Sequence, residues 1–230
     1  MQNEFREFIN YVKHPNPFQK NESSAMFYNQ LFPLVIICLG FAFAATLFTT
    51  TLEHLHIIKK LPEFDLFDLK ERKLLLFGSV VIVAPVVEEL IFRLQLKSYS
   101  LAVIFYAGLG VFFLNKLFTG FTLGISVFAV LSIAVVVFLW LWESKTKRTR
   151  FVNVYFKYHF YFTAIIFGLV HISNYNNPFK FGFSVLLLVL PQTFVGFILG
   201  YVRMRFGVSK SIIMHAAYNF IPALGLLAGY

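Results

Sequence analysis

Seven stretches of the chain stay apolar for close to the ~20 residues that an α-helix needs to cross a bilayer core. They run at about Leu31–Leu52, Leu74–Leu96, Tyr99–Phe118, Phe121–Trp142, Tyr158–Ile172, Phe183–Val202 and from Ser209 onward. The fourth ends on two Trp residues, an interfacial anchor pattern. The fifth is short and is ended by Asn174-Tyr-Asn-Asn-Pro178. The pattern predicts an all-α fold, a polytopic transmembrane helix bundle of about seven spans. A polar N-terminal segment, residues 1–30, precedes a single membrane domain over 31–230. Between the first two spans, Leu61-Pro-Glu-Phe-Asp-Leu-Phe-Asp-Leu-Lys-Glu-Arg72 alternates apolar and acidic residues. That suits a short helix lying on the membrane surface.

Composition agrees with this reading. Hydrophobic residues make up 58% of the chain and charged ones 13%, and mean hydropathy is +0.72. A soluble domain must present a polar outside, so the apolar excess has to meet lipid. The formal charge is +9, from 20 Lys and Arg against 11 Asp and Glu. These basic residues sit in short loops between apolar runs, with no aromatic stacking platform beside them. They set orientation and touch anionic lipid heads, and nucleic acid is not an expected partner. Counted from the N-terminal side, twelve Lys and Arg fall on that face and seven on the other, with Arg93 left out as intramembrane. The N-terminus and the loop Glu143–Lys157 are therefore expected in the cytoplasm, in a multi-pass protein of the cell membrane. The one cysteine, Cys38, excludes an intrachain disulfide and a Cys-rich metal site.

Ionisable residues inside a span are costly and mark function by default. The second span holds Val86-Val-Glu-Glu-Leu-Ile-Phe-Arg93. Glu89 and Arg93 are i and i+4 on a helix, close enough to pair. Glu88 points about 100° away and has no local counter-ion. The fifth span supplies His171 and the seventh supplies His215 and Asn219, again i and i+4. Each group alone fits a structural polar contact between helices. Together they fit chemistry better. A Glu with a His can activate water, and a His with an Asn can donate to an oxyanion. The same Glu88, His171 and His215 could instead hold a divalent metal such as zinc. Spacing alone leaves that choice open. No Ser–His–Asp or Asp–Asp protease pattern is present. His14, His54, His56 and His159 read as solvated or interfacial.

Glu88-Glu89-x-x-x-Arg93, Phe167-x-x-x-His171 and His215-x-x-x-Asn219 occur in that order. Ala84-Pro85 precedes the paired acids, and Gly196, Gly200, Arg203 and Gly207 lead into His215. This set resembles the CPBP family of intramembrane proteases, which includes CAAX prenyl-protein endopeptidases and bacteriocin-processing enzymes and is also called the Abi family. The resemblance covers 74–96 and 158–230, about half the chain. It implies Glu88 and His171 as the water-activating pair, His215 and Asn219 as oxyanion donors, and Glu89 with Arg93 as site support. It also implies a peptide or protein substrate, lipidated in some members, and a mechanism with either a metal or none. Glu88 and His171 can meet only if the fifth span is short or tilted, or if the Asn-rich turn dips into the membrane. Two other classes compete: a non-catalytic immunity or assembly factor of the same fold, and a proton-coupled transporter using Glu88 as a relay. The intact motif set argues against the first. The lack of obvious inverted repeats argues against the second.

Overall fold

The structure is a computed structural model that describes residues 2–17, 21–62, 72–117, 133–134, 142 and 145–228. Among these the regular structure is helical, with no strands. Helix α1 is Gln2–Lys13 and α2 is Ser24–His54, opened by Ser23, whose side chain accepts from the Met26 amide at 3.3 Å. The second apolar stretch is one helical run in four pieces. These are α3 (Lys73–Gly78), a π-helical turn (Ser79–Val83), α4 (Ala84–Phe92) and a 3₁₀ turn (Leu94–Lys97). Then come α5 (Tyr99–Leu117), α6 (Lys145–Val170), two 3₁₀ turns (His171–Asn174 and Pro178–Ser184), α7 (Val185–Leu188), α8 (Leu190–Phe206) and α9 (Val208–Ala228).

Among the described residues, two runs are long and apolar enough to cross a membrane, Ser24–His54 and Lys73–Lys97. The pair Lys180–Leu188 and Leu190–Phe206 makes a third if it counts as one span bent by 42°. The helix expected over Phe183–Val202 is thus bent rather than continuous. Pro191 explains the break, since it lacks an N–H and its ring crowds the carbonyl four residues back. Most of the expected fourth span, Phe121–Trp142, lies outside the described residues, as does 63–71 of the expected surface helix.

The segment Glu143–Lys157, expected as a loop, is helical from Lys145 onward. Its Lys and Arg residues are good helix formers, and no Gly or Pro interrupts it before Gly168. Hydropathy alone could not show a polar helix continuing into an apolar one.

The outside is apolar where that of a soluble protein would be polar. Phe32, Phe43, Leu74 and Phe183 are exposed, whereas Glu89, Arg93, Ser211 and His215 are buried. An apolar outside around an apolar core that holds a few buried polar groups suits a lipid surround. Three glycines bring α6 and α8 together. A Cβ on Gly168 would lie 1.9 Å from Thr193 Oγ1, one on Gly196 2.8 Å from the Ala164 carbonyl oxygen, and one on Gly200 2.7 Å from the Phe160 ring. Small residues at such positions let membrane helices approach closely.

Helix α1 docks on this pair. Phe8 meets Phe194 and Tyr201 edge-on, and Tyr11 meets Phe160. The Tyr161 hydroxyl donates to the Val12 carbonyl at 2.6 Å. Arg205 pairs with Glu7 and with Glu22, and Lys97 donates to Asn21 at 2.7 Å. These contacts gather the N-terminal segment, the C-terminal end of the second span and the C-terminal end of α8 at one end of the bundle.

Candidate active site

The site is assembled from α4, the end of α6, and α9. Helix α4 starts at a fault in the helical run. The Ala84 amide bonds to the Ser79 carbonyl in π register. The next donor in that register would be Pro85, which has no N–H. The Val80 carbonyl is left open, and Asn219 Nδ2 donates to it at 2.9 Å. A sequence feature, Pro85, thereby fixes where Asn219 of α9 docks.

Glu89 and Arg93 pair one turn apart, as expected, at 3.7 Å between Oε2 and Nε, both fully buried. Arg93 also donates from Nη2 to the Gly196 carbonyl at 3.2 Å and lies over the Phe167 ring. Arg203 returns the contact, donating from Nε to the Arg93 carbonyl at 2.9 Å. Arg93 thus grips the main chain of α8 at Gly196 and Arg203 grips the main chain of Arg93, which locks α4 to α8. Glu89 has two further partners. Its Oε1 accepts from His215 Nδ1 at 3.1 Å, and its Oε2 accepts from the Ser211 hydroxyl. A carboxylate only accepts, so Nδ1 of His215 carries the proton in this contact.

His171 lies just past the end of its helix. Helix α6 stops at Val170, and His171 opens a 3₁₀ turn. Its ring folds back so that Nδ1 donates to the Phe167 carbonyl at 2.7 Å. This is a histidine closing the C-terminal turn of its own helix. The end of α6 at Val170 and the irregular 171–184 segment bring His171 to Glu88.

Glu88 stands at the meeting point. Its Oε2 is 3.8 Å from His171 Nε2 and 3.8 Å from His215 Nε2. Both distances exceed a hydrogen bond, and this enclosed oxygen has no hydrogen-bond partner. Glu88 as a whole is 26% exposed, against 0% for Glu89. The paired acids therefore separate into one that faces an opening and one that is sealed. The Phe167 ring underlies both imidazoles, with centroids 4.9 Å from His171 and 5.6 Å from His215.

All six residues singled out from the sequence are placed around this point. Glu88 lies 3.8 Å from both histidines, His215 bonds to Glu89, Arg93 supports Glu89, and Asn219 is anchored on Val80. Among the described residues, no three His, Cys, Asp or Glu side chains form a set that could hold a metal ion. His159 is not simply solvated, since its Nδ1 shares a 2.7 Å hydrogen bond with the Tyr106 hydroxyl. Sequence reasoning missed Ser211 and Arg203 as parts of the site. The signal for Ser211 was available: Ser211, His215 and Asn219 recur every four residues and share one face of α9.

Residues 70–221 match the family model described as Type II CAAX prenyl endopeptidase Rce1-like. The chain belongs to this family. All six motif residues and Phe167 lie within the match. No curated protein and no solved structure matches the chain. As a member of the CAAX endopeptidase family it is an integral membrane protein, and the family's substrates are peptides.

Proposed function

We propose that this CAAX-type endopeptidase hydrolyses a peptide bond near the membrane surface, using Glu88 and His171 to activate water. The observation that carries the reading is the Glu88 oxygen, enclosed without a hydrogen-bond partner, at 3.8 Å from the Nε2 of each histidine. His171 spends its Nδ1 proton on the Phe167 carbonyl, so in its neutral form Nε2 is a lone pair. A carboxylate oxygen and a lone pair facing each other across that gap suit a water that donates to both. Glu88 takes one proton as the water oxygen attacks the scissile carbonyl carbon. The oxyanion that forms is met by His215 and by Asn219. His215 donates from Nε2 only when doubly protonated, with the Glu89 carboxylate balancing that charge at Nδ1. An amide has two N–H donors, and Val80 takes one of Asn219's, which leaves the other. Collapse of the intermediate breaks the C–N bond, and the proton held by Glu88 passes to the leaving amine.

The family description supports a prenylated substrate, held in the membrane by its lipid. The excess of basic residues on the N-terminal face supports a cytoplasmic N-terminus in a cell membrane.

The test is Glu88→Gln, nearly isosteric and uncharged. Cleavage of a membrane-anchored reporter peptide, with and without a prenyl group, should be abolished while folded yield stays near wild type. Full activity in this variant removes Glu88 from the base role.

A further inference from the structure

We infer that Ser211 is a positioning residue, holding Glu89 so that Glu89 aims the His215 imidazole at Glu88. This rests on the reading of His215 given above. Ser211 is completely buried on α9, one turn before His215. Its hydroxyl reaches two acceptors, Glu89 Oε2 and the Leu199 carbonyl at 3.0 Å. A hydroxyl has one proton, and a carboxylate accepts more strongly than a neutral carbonyl, so the proton goes to Glu89.

What this does follows from the freedom of a carboxylate. The last torsion of Glu is broad, so burial alone does not decide which oxygen faces which neighbour. Arg93 supplies charge at 3.7 Å, beyond hydrogen-bond length, and so does not fix that rotation. Ser211 does, by claiming Oε2 and leaving Oε1 to His215 Nδ1 at 3.1 Å. With Nδ1 held, Nε2 is left directed at Glu88. Removing the hydroxyl frees the carboxylate plane to turn and the imidazole to turn with it. A purely structural role, tying α9 to α4 and α8, would affect stability but not the orientation of one ring.

The experiment measures kcat and KM per folded molecule for the full chain in liposomes, using the reporter peptide. Ser211→Ala should lower kcat about tenfold, the rate equivalent of one net hydrogen bond, with KM unchanged. Ser211→Thr, which keeps the hydroxyl, should restore it. In a His215→Ala background, Ser211→Ala should cost nothing further, because residues acting through one another are not additive. Unchanged kcat in Ser211→Ala overturns the inference. So does an equal fold-loss in both backgrounds, or a folded Ser211→Thr with the kcat of Ser211→Ala. Glu88→Gln run in parallel separates the two levels. An active Glu88→Gln defeats the proposed function itself, whereas an inactive one beside a fully active Ser211→Ala defeats only the role of Ser211.

Discussion

The guanidinium of Arg93 lies over the ring of Phe167, its central carbon 4.0 Å from the ring centroid. The same ring packs against Phe92, His171 and His215. One aromatic side chain therefore carries the buried cation on one side and spaces both imidazoles. Phe167→Ala should cost about 3–5 kcal/mol, the usual range for emptying a buried aromatic site. The loss is read as a lowered thermal midpoint of the purified protein in detergent. Activity should fall even below the melting range, because both histidines lose their common support.

Glu89→Gln should behave unlike Glu88→Gln. It leaves Arg93 buried without its counter-charge and, because an amide keeps only one acceptor oxygen, deprives either His215 or Ser211 of its acceptor. Breaking one partner of a buried pair costs about 3–5 kcal/mol. The expected result is a strong drop in folded yield, measured by size-exclusion chromatography. A Glu89→Gln variant with wild-type yield and stability would show that the pair is not needed for folding.

The oxyanion role and a metal site make different demands on His215 and Asn219. With His215 and Asn219 as donors, each Ala variant should lose roughly 10²- to 10³-fold in kcat, and a strong chelator should change nothing. If the histidines hold zinc, His171→Ala and His215→Ala should each lose bound metal while Asn219→Ala keeps it. Metal analysis beside the activity assay decides. About one zinc per chain, lost with activity and restored by re-addition, would replace the metal-free mechanism.

Orientation is open to direct measurement. In a Cys38→Ala background, a cysteine at Val154, an exposed position in the polar half of α6, should react with a membrane-impermeant thiol reagent from the cytoplasmic side only. Labelling confined to the opposite face would invert the topology.

The polar chemistry of the site was legible because it was local or motif-borne. The Glu89–Arg93 pair follows from a four-residue spacing, and the separation of Glu88 from Glu89 follows from adjacency on a helix. The meeting of Glu88 with His171 was legible only as a condition, since it depends on α6 ending at Val170. What escaped was set by contacts distant in sequence. The Arg203 bond to the Arg93 carbonyl joins residues 110 positions apart, and the Ser211 bond to Glu89 spans 122. The polar half of α6 escaped for another reason: hydropathy registers lipid contact, not helicity.

The π-helical turn at Ser79–Val83 also sets the rotational phase of the span. Phe77 and Glu89 are twelve positions apart, so on an unbroken α-helix they would point about 120° away from each other. Yet both face α9, Phe77 against Phe220 and Glu89 against His215 and Ser211. The extra residue absorbed by the π turn reduces the offset to about 20°. The bulge works as a gear tooth between an anchoring half and a reacting half. Deleting a single residue from 79–83 would leave Phe77 and Glu89 eleven positions apart on a regular helix, still offset by about 20°, so both halves would keep engaging α9, whereas forcing all twelve positions into a regular helix would turn one half about 100° away.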